Sequence, residues 1–121
     1  ITAAEARNPN AVKLVVGPGK KALFFSRSVI PYDFKGRSPR YYKQVGLYVW
    51  QAEALRKFSE TPQSYLESIE DTHMLRLIEN GFNARLVHTG IRSVGVDVPE
   101  DVREAEEFLR GRVIETGDKS A

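Results

Sequence analysis

The chain has 121 residues, 41% of them hydrophobic and 28% charged, which places it in the globular range with enough material for one core and too little for two. It contains no cysteine, excluding disulfide frameworks and thiolate metal sites, and its apolar runs, such as Val45 to Trp50, fall far short of the roughly 20 residues of a membrane span. The formal charge of +2 conceals an asymmetry: residues 1–58 carry 11 Lys/Arg against 3 Asp/Glu, and the remainder carries 7 against 13. Opposed charges favour docking of the two halves or of two copies, and the basic half also suits an anionic ligand. A cysteine-free chain fits a reducing, cytoplasmic home. The start, Ile1 to Glu5, lacks an initiator Met, a basic region and an apolar region, and it reads as a cut or processed end.

In chain order, Ala11 to Val16 and Lys21 to Phe25 are β-prone runs flanking Gly17-Pro18-Gly19-Lys20, which predicts a hairpin. The Gly-rich turn is too short for a phosphate-binding loop and no helix pattern follows it, so it reads as a plain turn. Ser26 to Arg40 mixes basic, aromatic, Gly and Pro residues without a period, the mark of an irregular connection. Val45 to Trp50 predicts an apolar strand, and Ala52, Leu55 and Phe58 place a short helix over residues 51–58. Ser64 and Glu67 form a capping box that opens a helical stretch ending at Asn80-Gly81. Phe82 to Thr89 and Ser93 to Val96 read as two further strands. Pro99 then takes the first position of a helix with Glu100 and Asp101 in its first turn, Val102, Ala105 and Leu109 facing the core, and Gly111 as its stop. Alternating strands and helices make the chain α/β, with a sheet that needs more strands from elsewhere.

Several side chains sit where chemistry is plausible. Asp97 ends a predicted strand two residues before a helix, at the sheet edge where open α/β folds bind ligands. A carboxylate there suits Mg2+, which takes one or two protein carboxylates and fills its shell with water and phosphate oxygens. It equally suits a helix cap. His73 shares a predicted helical face with Glu70 and Leu77, an arrangement open either to acid–base work or to a half-buried histidine with one hydrogen bond. Gln44 and Tyr48, four apart in a predicted strand, point to one face, with Gly46 leaving that face open. Arg37 to Lys43 interleaves cations with aromatics, a pattern compatible with single-stranded nucleic acid, but it is short and no RNA-binding module surrounds it. Nucleic acid is therefore not expected as a partner. His88 has no acid beside it.

Taken together, the segments Asn8 to Lys13, Ala22 to Pro31, Tyr41 to Tyr48, Leu66 to Glu70, Leu75-Arg76, Glu79 to Gly81 and Val94 to Asp101 resemble, in order, the C-terminal half of the 3-deoxy-manno-octulosonate cytidylyltransferases (CMP-KDO synthetases). The resemblance implies a partial nucleotidyltransferase fold, a Rossmann-like sheet with flanking helices and a β-hairpin. It makes residues 1–121 the acceptor-binding and dimerisation part of one cytidylyltransferase domain. The nucleotide-binding N-terminal half, with its Gly-rich loop, is expected to precede this sequence. The implied reaction transfers CMP from CTP to an acidic keto-sugar with release of pyrophosphate, serves lipopolysaccharide biosynthesis, depends on Mg2+ and runs in a cytoplasmic homodimer.

By that resemblance Asp97 matches a Mg2+ ligand, Gln44 and Tyr48 match positions of the sugar-acid pocket, and Arg27 lies where a cation meets a carboxylate. No catalytic residue is assigned, and the segment alone is expected to be inactive. Two departures bear on substrate. Gln44 stands where the family usually has His, and His73-Met74 stands where it has Glu-Gln, which exchanges an acidic acceptor for a possible cation and an apolar group. His73 thereby becomes a candidate specificity residue, and the acceptor a related keto-sugar acid or another acid such as a phosphonate. A non-catalytic dimerisation or binding module is the alternative from a different class.

Overall fold

A computed structural model describes residues 1–91, 93–96 and 98–116, with side chains as far as Gly111. Its sheet grows from the predicted hairpin. Strands β1 (Lys13–Gly17) and β2 (Lys21–Ser26) pair antiparallel, and β3 (Tyr42–Lys43) adds to the other edge of β1, giving the order β2-β1-β3. The connecting turn has positive φ at both Gly19 (66°) and Lys20 (59°), and Lys21 N–H donates to the Pro18 carbonyl. Two successive positive φ values match the right-handed twist of a hairpin, which is why a Gly stands in the turn.

The register of β1 on β2 slips once. Val15 opposes Phe24, but Val16 opposes Ala22, so Leu23 is an extra residue. This bulge has a packing consequence. Residues three apart in a regular strand point to opposite faces, yet Ala22 and Phe25 are both buried, because the extra residue returns them to one side. Opposite Leu14 and joined by Met74, Leu75 and Leu77, they form the core.

The helices follow the same logic. Helix α1 (Ala3–Ala6) is closed by Thr2 and Glu5, which bond each other's backbone reciprocally. Helix α2 (Ala52–Glu60) stands where expected, laced on its exposed side by Arg56 to Glu53 and Glu60. At the predicted capping box, Glu67 accepts from the Ser64 N–H at 3.1 Å. The helix it opens is shorter than expected: Asp71 adopts a left-handed conformation (φ 47°) and splits the stretch into α3 (Tyr65–Glu70) and α4 (Met74–Glu79). Helix α4 ends as predicted, with Gly81 at φ 74°. A Cβ at Gly81 meets no atom within 4 Å, so only the backbone conformation demands glycine. Gly81→Ala is therefore expected to lower stability by about 1 kcal/mol, read as a shift in the urea midpoint at unchanged slope.

Three predicted strands are absent. Val45 to Trp50, Phe82 to Thr89 and Ser93 to Val96 carry no strand; the second contributes one isolated bridge, Arg85 to Lys21. A strand exists only against a hydrogen-bonding neighbour; among the described residues the second segment finds one only at that single bridge, and the first and third find none. The chain divides into two compact units, residues 1–88 and residues 89–121. The second contains α5 (Asp101–Thr116), which runs through Gly111 rather than stopping there; glycine weakens a helix interior without breaking it. Val102 and Leu109 are exposed, contrary to the core-facing expectation. Among the described residues no helix is long and apolar enough to cross a membrane.

Candidate functional site

The loop that leaves β3 turns Gln44 and Tyr48 toward each other. Gln44 N–H donates to the Val12 carbonyl at 2.8 Å, which extends the β3 edge by one bond. The Gln44 side-chain Nε2 donates to the Tyr48 hydroxyl. The sequence put both on one face of a strand; residues 45–50 form none, and the loop itself brings the two side chains into contact. Against the Tyr48 ring stands His73, edge-on with ring centroids 5.4 Å apart.

His73 is not mid-helix, as the sequence suggested. It caps α4, just after the left-handed turn at Asp71, and this turn takes it off the helical face of Glu70. Its second neighbour is the Phe58 ring at 6.2 Å, delivered by α2. His73 is exposed while Met74 beside it is buried in the core. Of the two substituted residues, then, only His73 presents itself to solvent.

The electrostatics of this group are specific. Burial raises the Tyr48 pKa, opposed in part by the Gln44 hydrogen bond, so the hydroxyl stays protonated at neutral pH. Gln44 Oε1 is buried and has no partner among the described residues, although a buried carbonyl oxygen normally finds a donor. An unspent acceptor, a neutral phenol and an exposed imidazole together can bind a hydroxyl-bearing anion: the amide oxygen accepts a hydrogen bond from a hydroxyl and the imidazole meets a negative oxygen.

Behind the site lies a support that sequence reasoning missed. Arg76 packs over Phe58, 4.5 Å from the ring centroid, and grips Glu67 with Nε and Nη2 at 2.7 and 2.6 Å. Its Nη1 donates to the Thr61 carbonyl at 3.0 Å. Trp50 packs on the other side of Phe58 at 5.2 Å. Arg76 lowers the Glu67 pKa, burial opposing it, and Glu67 raises that of Arg76. Glu67 was legible as a cap, but nine residues separate it from Arg76 and they lie on different helices, so no local pattern joins them.

Arg27 stands apart from this group. Its guanidinium donates to the carbonyls of Glu70, Pro9 and Asp71 at 2.8, 3.0 and 3.0 Å, and its own N–H bonds Glu70 Oε2 at 2.7 Å. It ties the end of β2 to the end of α3. Beneath it the fully buried Lys13 donates to the Asn8 and Arg27 carbonyls; burial, then the Arg27 charge, lowers its pKa. Asp97 lies outside the described residues. Among those described, no group of three or more His, Asp or Glu gathers in a way that could hold a metal ion.

Comparisons with known proteins give the chain its family. The cytidylyltransferase family model matches residues 1–115. The 3-deoxy-manno-octulosonate cytidylyltransferase of Acidobacterium capsulatum is 43% identical over 113 residues, covering 89% of this chain and 44% of that protein. The protein of the same name from Porphyromonas gingivalis is 40% identical over 114 residues, covering 89% and 45%. A solved CMP:2-keto-3-deoxy-manno-octonic acid synthetase complexed with CTP superposes with a TM-score of 0.82 at 37% identity, covering 93% of this chain and 46% of that one. The chain thus spans somewhat less than half the length of these relatives. Its α/β fold is theirs over that span, and the chain belongs to the cytidylyltransferase family.

Proposed function

We propose that this chain is the acceptor-binding part of a cytidylyltransferase that transfers CMP from CTP to an acidic acceptor, 3-deoxy-manno-octulosonate or a related keto-sugar acid, and releases pyrophosphate. The names of the relatives and the CTP held by the solved neighbour support the reaction class. The observation that carries the acceptor is the assembly of Gln44, Tyr48 and exposed His73 around an unspent buried oxygen.

In this reading Gln44 Oε1 accepts from a sugar hydroxyl, Tyr48 holds Gln44 in place, and His73 meets an anionic oxygen of the acceptor. Phe58, braced by Arg76, fixes the imidazole. The nucleotide is held by the part of the relatives that this chain does not span. Mg2+ would supply charge neutralisation on phosphate oxygens, and Asp97 is the carboxylate this chain would offer it. The working unit is a homodimer in the cytoplasm, with the opposed charges of the two halves as the attraction.

The test is pyrophosphate release from CTP by the complete protein, across a panel of keto-sugar acids and phosphonates. Turnover with a keto-sugar acid is the expected result, and silence across the panel overturns the reading. Within that assay Tyr48→Phe is expected to raise KM for the acceptor roughly 3- to 10-fold, as loss of one hydrogen bond does, with KM for CTP unchanged. An effect on CTP instead would remove Tyr48 from the acceptor site.

A further inference from the structure

We propose that the groove between the hairpin turn and residues 83–85 is a second ligand site, one that takes a small diphosphate-bearing anion. The groove is about 240 Å³ and is lined by Pro18, Gly19, Lys21, Asn83 and Arg85. Lys21 and Arg85 oppose each other across the isolated antiparallel bridge, clasped on either side by Ala22 N–H to the Ala84 carbonyl (2.9 Å) and Leu86 N–H to the Lys20 carbonyl (2.8 Å). Directly opposed residues project to the same face, and like charges so placed are destabilising.

Nothing within the described residues relieves this repulsion. Lys20, Lys21 and Arg85 have no carboxylate partner there. Two unneutralised, directly opposed cations and a side-chain amide lining one groove are the features of an anion site awaiting its charge.

Size and composition select the ligand. The volume lies below the roughly 300–1,000 Å³ of sites that enclose a whole small molecule, so it suits a phosphate group pair rather than a complete nucleotide. The lining has no aromatic ring, which single-stranded nucleic acid needs for stacking. None of its residues belongs to the Gln44, Tyr48 and His73 group, so the inference stands whether or not that reading holds.

The experiment titrates this chain with inorganic pyrophosphate by calorimetry and amide NMR, beside CTP and oligothymidylate. Pyrophosphate is expected to saturate the chain and to shift the amides of Gly19, Lys21 and Arg85. Lys21→Gln with Arg85→Gln should weaken it by about tenfold or more, since charge-assisted hydrogen bonds are lost. The same pair should raise the melting temperature of the unliganded chain and cancel the rise that pyrophosphate gives the parent. A Gln44→Leu variant should bind pyrophosphate normally. Tighter binding of CTP, abolished by the same two substitutions, keeps the site and makes a nucleotide the source of the diphosphate. No saturable binding, binding that survives the double substitution, or a preference for oligothymidylate with steep salt dependence each overturns the proposal.

Discussion

Arg76→Ala is expected to destabilise the chain by clearly more than the roughly 1 kcal/mol of an exposed ion pair, because removing one side of a largely buried pair strands the other charge. The Glu67 side chain is only 6% exposed and its two oxygens meet Arg76 at 2.6 and 2.7 Å. Without the guanidinium, its one remaining hydrogen bond comes from the Ser64 N–H. The Phe58 ring also loses the cation above it, a smaller term of about 0.5–2 kcal/mol. Urea unfolding measures the sum. Arg76→Lys should fall between, since an ammonium keeps the charge but not the two-pronged grip. Glu67→Gln added to Arg76→Ala should recover a large part of the loss, because the amide still accepts from Ser64 and carries no charge to strand. An Arg76→Ala chain as stable as the parent would reduce the pair to a surface contact.

The same pair sets an acid limb. Arg76 holds the folded-state pKa of Glu67 below the ordinary value of 4.5. A carboxyl with a depressed folded pKa binds fewer protons folded than unfolded, so its contribution is complete above 4.5 and is lost as pH falls through the lowered value. The parent should lose stability in that window, and Arg76→Ala should lose the slope along with the stability.

What the sequence revealed and what it concealed divide by the range of the interaction. The hairpin at Gly17 to Lys20, the Ser64 and Glu67 cap, helix α2 and the end of α4 at Gly81 depend on residues within a few positions, and all were legible. The strands from Val45 and Phe82 were not, although Val45, Leu47 and Val49 alternate as a strand should. These three are 40%, 83% and 98% exposed: the alternation is present, while a neighbour to hydrogen-bond it is not among the described residues, in a chain that spans somewhat less than half of its relatives' length. The pairing of Gln44 with Tyr48 was expected from a shared strand face, yet residues 45–50 carry no strand and it is a loop that brings the two side chains together. The carbonyl partners of Arg27, up to 44 residues away, left no local signal. His73 needed the left-handed turn at Asp71 to reach Tyr48, and nothing in the local pattern announces an aspartate at positive φ.

If the proposed transfer runs on Mg2+, Asp97→Asn in the complete protein is expected to reduce turnover by more than about 100-fold, since losing even an outer partner of a metal ligand costs 10- to 100-fold. The substitution keeps shape and hydrogen-bonding capacity and removes the charge a hard cation requires. The competing role is capping α5, and there the bonds favour Val98 for the cap position: Asp101 N–H donates to the Val98 carbonyl at 3.0 Å and the Asp101 carboxylate accepts from the Val98 N–H at 3.1 Å, the reciprocal pattern of a residue at the cap and one three positions on. Asp97 precedes that position in sequence. The two roles separate by measurement, because a cap substituted by asparagine loses little, asparagine being as good a cap as aspartate. Turnover against Mg2+ concentration, with the circular dichroism spectrum and melting temperature of the variant, decides between them. A folded variant whose activity is not restored by excess Mg2+ identifies Asp97 as a metal-binding carboxylate, and full activity at the parent's Mg2+ requirement returns it to the helix.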